Sequence, residues 1–294
     1  MTGHPANDKG ADPALARLAG GLRLLHPFPS LMNMMATLLF ATLARSAPPG
    51  IRTTTLLAGA IFASQAAIGI ANDWADRDLD RATKPGKPLA AGLMAPWGAL
   101  VMLGAALAIA MFCAVQFGLA SLLLVAAGTG LGLAYDFWLK RTSYSWLPYL
   151  LAIPLEPIWV WTALGRFTPR LLWLYPLGAT LLLALHLANA LADFSGDTAA
   201  GAGGLVQRLG RRRATRLLWV AALLPALLAS LLGLALPLRW SRWLPAVALS
   251  LLPLLAAVWL VRRRPGQNAV YRTVFGLLII STIVLATGWL GAAL

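Results

Sequence analysis

Apolar residues fall in nine blocks, each long enough to cross the roughly 30 Å hydrocarbon core of a bilayer. They cover residues 25–46, 51–72, 95–114, 117–137, 145–165, 171–192, 214–236, 242–261 and 272–293. Charged residues are largely confined to the short stretches between them. Runs of this length predict transmembrane helices, whereas a half-buried strand would alternate apolar and polar positions. The weakest junction lies near Gln116, between the third and fourth blocks. Residues 1–20 are polar, bear Gly and Pro, and read as a tail without the apolar run of a cleaved signal. Residues 21–294 read as a single polytopic domain.

Composition supports this pattern. Of 294 residues, 59% are hydrophobic and 12% charged, against about a quarter charged in soluble domains. The net charge of +14 sits at block ends rather than in one patch, so a nucleic-acid partner is not expected. The single cysteine, Cys113, lies inside an apolar block and excludes a disulfide framework. With the N-terminus in the cytoplasm, 18 of the 24 Lys and Arg fall on inner segments and 6 on outer loops, as the positive-inside rule requires. The expectation is a multi-pass protein, N-in and C-out, of a prokaryotic cytoplasmic membrane.

Acidic residues change the picture from architecture to chemistry. Four of the ten, Asp73, Asp76, Asp78 and Asp80, stand at the end of the second block. Asn72, Asp76 and Asp80 are spaced i, i+4, i+8, which stacks them on one face of a helix. Asn189, Asp193 and Asp197 repeat that spacing 117 residues later, at the end of the sixth block. A solvated loop explains a charge run, but not a second ladder directly after an apolar helix and free of interleaved bases. Oxygen-only ligands of this type suit Mg²⁺, which binds through a few carboxylates together with substrate phosphates. The predicted metal set is Asn72, Asp76, Asp80, Asn189, Asp193 and Asp197.

Basic groups complement the ladders. Arg81, Lys84 and Lys87 follow the first, in a segment that Pro85, Gly86 and Pro88 keep non-helical. Arg208 follows the second. Tyr135 and Lys140 close the fourth block and offer a hydroxyl and an ammonium to a phosphate oxygen. Together these groups suit the departure of a diphosphate, where negative charge develops. His186 shares the face of Asn189 and Asp193, either as a packed neutral ring or on the acceptor side. Asn33 is a further cavity candidate, while Gln65 reads as an interhelical hydrogen-bonding residue. Glu156, between Pro154 and Pro157, is an intramembrane carboxylate and so a candidate for function.

On these residues the chain resembles the UbiA-type intramembrane prenyltransferases. The matching motifs are N-D-x-x-D-x-x-x-D at 72–80, K-P-L-A-A-G at 87–92, Y-x-x-x-x-K at 135–140 and N-x-x-x-D-x-x-x-D at 189–197. The resemblance implies an all-α membrane protein of about nine helices around a central cavity capped on the cytoplasmic side. It also implies Mg²⁺-dependent transfer of a prenyl group from a polyprenyl diphosphate to an aromatic or other lipophilic acceptor, releasing diphosphate. Carried over, the ladders hold the metal and Asp73 assists them. Tyr135 and Lys140 contact the diphosphate, and Lys84 and Lys87 belong to a capping loop. Two departures stand out: His26-Pro27 where many members have Arg-Pro, and the Gly201 to Gly204 segment where Gly-basic-Thr is common. The alternatives are a terpene cyclase of the same fold, which needs no acceptor, and an ion- or proton-coupled transporter, which expects acids at the bilayer midplane.

Overall fold

The computed structural model describes residues 13–142, 144–199 and 204–293, and the side chain of Asp197 lies outside that description. Every described element is helical, with no strand among the described residues. The chain forms α1 (Pro13–Leu24), α2 (Pro27–Arg45), α3 (Ile51–Thr83), α4 (Pro96–Val115), α5 (Leu119–Ala134), α6 (Leu147–Ala163) and α7 (Leu174–Ala192). It continues through α8 (Phe194–Ala199), α9 (Leu205–Leu209), α10 (Arg211–Ala235), α11 (Trp240–Arg263) and α12 (Asn268–Ala293). A π-helical turn over Tyr135–Leu139 extends α5, and a 3₁₀ turn over Pro169–Trp173 leads into α7. Eight helical segments among the described residues are long and apolar enough to cross a membrane. The ninth, α6, is apolar but only 17 residues long and carries Pro154 and Pro157 inside it. The expected nine blocks are therefore present as helices, and the bundle is a multi-pass membrane protein.

Three features depart from the sequence reading. A helix begins at Pro13, inside the stretch read as a tail, and its last residue, Leu24, is buried with Ala67 and Ile70 of α3. Next, α3 does not stop with its apolar block. Its 33 residues span about 50 Å at 1.5 Å per residue, so the first ladder rides on a continuous helix that outruns the hydrocarbon core. It ends only at Lys84, where Pro85 brings a ring and no N–H. The second ladder is not on one helix. α7 ends at Ala192, Asp193 is its cap with φ −106° and ψ 7°, and α8 restarts at Phe194. The uncertain junction near Gln116 resolves into a tight turn with Gly118 at φ 96°, a conformation suited to glycine.

Small residues let the helices approach. α3 buries Ala60, Ala63, Ala66, Ala67, Gly69 and Ala71 against α2, α4 and α5. Inside a bilayer, packing rather than water exclusion drives such contacts. α7 packs against α6, α10 and α12, so the two ladders stand on helices with different neighbours. Leu123, Leu227 and Ile280 are more than half exposed, which is the surface expected of a chain solvated by lipid.

Candidate active site

The end of α3 divides its acids between two sets of bases. Asp73 and Asp80 are seven residues apart, two helical turns, and share one face. Both are almost fully buried, at 2% and 3% exposure. Lys87, from the loop after α3, places its Nζ 2.7 Å from Asp73 Oδ1 and 2.7 Å from Asp80 Oδ2. Burial works against the Lys87 charge, but the two carboxylates outweigh it and hold its pKa above the usual lysine range. Arg23 of α1 fastens the same loop by donating to the Gly86 carbonyl at 2.8 Å.

His26 completes this cluster, with Nε2 3.2 Å from Asp73 Oδ1. Its backbone is left-handed, at φ 48° and ψ 60°, immediately before Pro27 opens α2. Gly69 makes room for the ring, since a Cβ there would sit 2.6 Å from His26 Cδ2. The His-Pro departure from that motif pattern thus has a local role: it sets an imidazole against Asp73, the second position of the first motif.

Asn72 and Asp76 turn to the π-helical segment instead. Asn72 Nδ2 donates to Asp136 Oδ1 at 2.7 Å. Asp76 accepts from Lys140 at 2.8 Å and from Arg141 at 3.1 Å. The wider π turn, a form frequent at functional sites, carries Tyr135, Asp136 and Lys140 at this end of the bundle. Tyr135 meets Tyr149 edge-on at 5.2 Å, and Tyr149 meets His186 at 5.9 Å. Ser145 Oγ lies 3.3 Å from His186 Nε2. His186 is buried among these groups, which ties α7 to the Tyr135 cluster.

Beside Asp76 lies a cavity of about 220 Å³ lined by residues of α3 and the π turn, among them Trp74, Arg77, Asp136 and Arg141. Arg77 stacks over Trp74 at 4.3 Å.

At the second ladder Asn189 and Asp193 are exposed, and Arg272 stands 3.8 Å from Asp193, too far for a hydrogen bond. Other expected residues are dispersed. Arg81 pairs with Asp78 at 2.6 Å on the surface, Lys84 and Arg208 are exposed, and Asn33 donates to Pro29 within α2 at 3.0 Å. Glu156 accepts from Thr37 at 2.8 Å, joining α6 to α2.

The expected metal set is therefore only partly gathered. Among the described residues no three acidic, His or Cys side chains lie close enough to hold an ion. At the described positions the carboxylates of α3 are engaged by Lys87, Lys140 and Arg141, and Asp193 sits at a helix break. The donor chemistry nevertheless fits Mg²⁺, since every candidate supplies oxygen. The Asn72 amide nitrogen is committed to Asp136, which leaves its carbonyl oxygen for other partners.

Sequence reasoning did not single out Asp136, His26, Trp74, Tyr149 or Ser145 for the site. Asp136 carried a usable signal, an acid within an apolar block four residues before Lys140.

Comparison with known proteins agrees with this fold. The sequence model of the UbiA prenyltransferase family matches residues 33–292. The 4-hydroxybenzoate octaprenyltransferase of Cupriavidus metallidurans is 28% identical over 245 residues, covering 80% of this chain and 82% of that protein. The enzyme of the same name from Cupriavidus necator is 28% identical over 241 residues, 77% of this chain and 80% of its own. Among solved structures, a UbiA homolog from Archaeoglobus fulgidus bound to GPP and Mg²⁺ superposes with a TM-score of 0.67 at 19% identity. That match covers 92% of this chain and 98% of the other. A structure of digeranylgeranylglyceryl phosphate synthase gives a TM-score of 0.73 at 15% identity, over 94% and 98%.

Proposed function

The chain belongs to the UbiA prenyltransferase family and is a prenyltransferase, and we propose that it transfers a prenyl group from a polyprenyl diphosphate to a 4-hydroxybenzoate-type aromatic acceptor. The reaction takes place at the cytoplasmic face, with the N-terminus inside, and releases diphosphate. The observation that carries the reading is the first ladder with its partners: Asp76 held by Lys140 and Arg141, and Asp73 and Asp80 joined by Lys87. The curated relatives support the acceptor class by their names.

In this reading Asn72, Asp76, Asp80, Asn189, Asp193 and Asp197 hold Mg²⁺. When bound, the ion neutralises charge on the diphosphate as the carbon–oxygen bond breaks. Lys140 and Tyr135 face the leaving oxygens and stabilise the negative charge that develops there. Lys87 anchors the loop after α3 against Asp73 and Asp80, so that water is kept from the reacting carbon. Aromatic rings at Tyr149 and Tyr135 offer their faces to an allylic cation. The aromatic acceptor attacks that carbon, and a ring proton leaves as the new bond forms.

The test is diphosphate release by purified protein in detergent, given geranylgeranyl diphosphate or a longer donor with a panel of acceptors. Release that needs both Mg²⁺ and a hydroxyaryl acid, and stops with EDTA, is the expected result. Release without any acceptor assigns a cyclase instead, and release that is indifferent to EDTA contradicts the metal.

A further inference from the structure

Beyond Asp197 the chain holds eleven arginines and no lysine, aspartate or glutamate. Arg239 and Arg242 lie at one end of the bundle, and the other nine lie at the end that carries the ladders. Biasing charge across a bilayer calls for basic residues, but neither for arginine alone nor for one helix face. Arg211 has an internal task. It donates to the Gly266 carbonyl and, at 3.0 Å, to Asn268 Oδ1, which holds the start of α10 beside the end of α11. Arg212, Arg216 and Arg262 are exposed, and their side chains pair with no acid among the described residues.

Between the same two helices lies a crevice. α10 packs on α7 and α11 on α12, and Trp219, Leu223, Leu251, Leu255 and Val258 line an apolar space of about 110 Å³ between α10 and α11. Helical periodicity joins this space to the free arginines. Arg212, Arg216, Trp219 and Leu223 stand at i, i+4, i+7 and i+11 on α10, which is one stripe. Leu251, Leu255, Val258 and Arg262 repeat the spacing on α11, so both stripes run from apolar groups to arginine toward the ladder end. Tryptophan marks the transition: Trp219 precedes Leu223 in the crevice, and Arg263 stacks over the exposed Trp259 at 5.3 Å. Trp is enriched where hydrocarbon gives way to headgroups. The space is well below the roughly 300–1,000 Å³ of a small-molecule pocket and suits part of one acyl chain.

We propose that the α10–α11 crevice, with Arg212, Arg216 and Arg262 at its mouth, is a binding site for an anionic phospholipid. The phosphate lies between arginines of the two helices, whose planar forks match phosphate oxygens, and one acyl chain lies along the crevice. The lipid thereby bridges two helices that pack on different neighbours. The site shares no residue with the ladders and does not depend on the reaction proposed above.

The test is equilibrium binding of a fluorescent phosphatidylglycerol to the purified full-length protein in detergent, against phosphatidylcholine with the same chains and label. The native protein is expected to prefer phosphatidylglycerol by about tenfold or more, since each arginine near an anionic headgroup contributes a factor of about five. Arg212→Gln/Arg216→Gln/Arg262→Gln abolishes the preference. Arg45→Gln/Arg52→Gln/Arg166→Gln removes the same charge from exposed positions at the opposite end and leaves it intact. Leu255→Trp, at a position 64% exposed, fills the crevice and weakens binding of both lipids with every charge in place. Equal native affinity for the two headgroups, or equal losses in the two triple variants, overturns the site. Unchanged binding in Leu255→Trp overturns the crevice as the place of the chain, and displacement of phosphatidylglycerol by equimolar geranylgeranyl diphosphate overturns the phospholipid as the occupant.

Discussion

The two acid ladders have the same spacing in the chain and opposite settings in the structure. The first lies on an unbroken helix, with Asp73 and Asp80 buried and Lys87, Lys140 and Arg141 drawn onto its carboxylates. The second straddles the break between α7 and α8, with Asp193 60% exposed and Arg272 3.8 Å from it. Carboxylates that are buried with their bases are part of the fold. Carboxylates that stand open are available to a ligand and contribute little to stability. Under the proposed function the labour divides: the first ladder holds the structure as well as the donor, whereas Asp193 adds little to the fold.

Substitutions can break that comparison. The largest effects are expected at Asp76→Ala and Asp193→Ala, each lowering the transfer rate by about a hundredfold to a thousandfold or more, the scale of losing a group that stabilises developing charge. The two variants should differ in thermal stability: Asp76→Ala leaves Lys140 and Arg141 without their partner and lowers the melting midpoint, whereas Asp193→Ala leaves it unchanged. Equal midpoints, followed by tryptophan fluorescence in detergent, contradict the division of labour. Lys87→Met comes next. Two buried carboxylates then face each other without the shared cation, and a destabilisation of about 3–5 kcal/mol is expected by analogy with broken buried pairs, read as a lower midpoint.

Gly69→Ala is a smaller, local probe. Its methyl group would press on the His26 ring, whose Cδ2 lies 2.6 Å from the added carbon. Overpacking of this kind costs about 1–3 kcal/mol, and a concurrent loss of donor binding would show that His26 positions Asp73. The smallest effect is expected at Arg81→Ala. Its pair with Asp78 is exposed on both sides, so stability should change by less than about 1 kcal/mol and transfer should persist. A large loss at Arg81 would mean that the first ladder extends further than the structure places it.

Much of the architecture was legible because apolar block length reports directly on which segments can cross a bilayer. The first ladder was legible as part of one helix because four-residue spacing has one meaning there, whereas the same spacing at 189–197 runs across a helix break. What the sequence concealed lies where packing decides. Nothing in Leu191-Ala192-Asp193-Phe194 marks a helix end, since no Gly or Pro stands there, yet α7 stops before Asp193. The π turn at Tyr135 leaves no compositional trace, and it alone orients Asp136 toward Asn72. Lys87 read as one of several loop bases. Only the fold shows that it spans Asp73 and Asp80, while Lys84, three residues earlier, faces solvent.

In the proposed function two ladders with unequal settings serve one Mg²⁺-dependent donor site. This is tested most directly by equilibrium binding of a non-reactive prenyl thiodiphosphate to the native protein, Asp76→Ala and Asp193→Ala, with Mg²⁺ and with EDTA. The account predicts tight binding by the native protein only with Mg²⁺, lost in both variants although Asp193→Ala remains as thermally stable as the native chain. Native affinity in either variant, or binding that ignores EDTA, would contradict it.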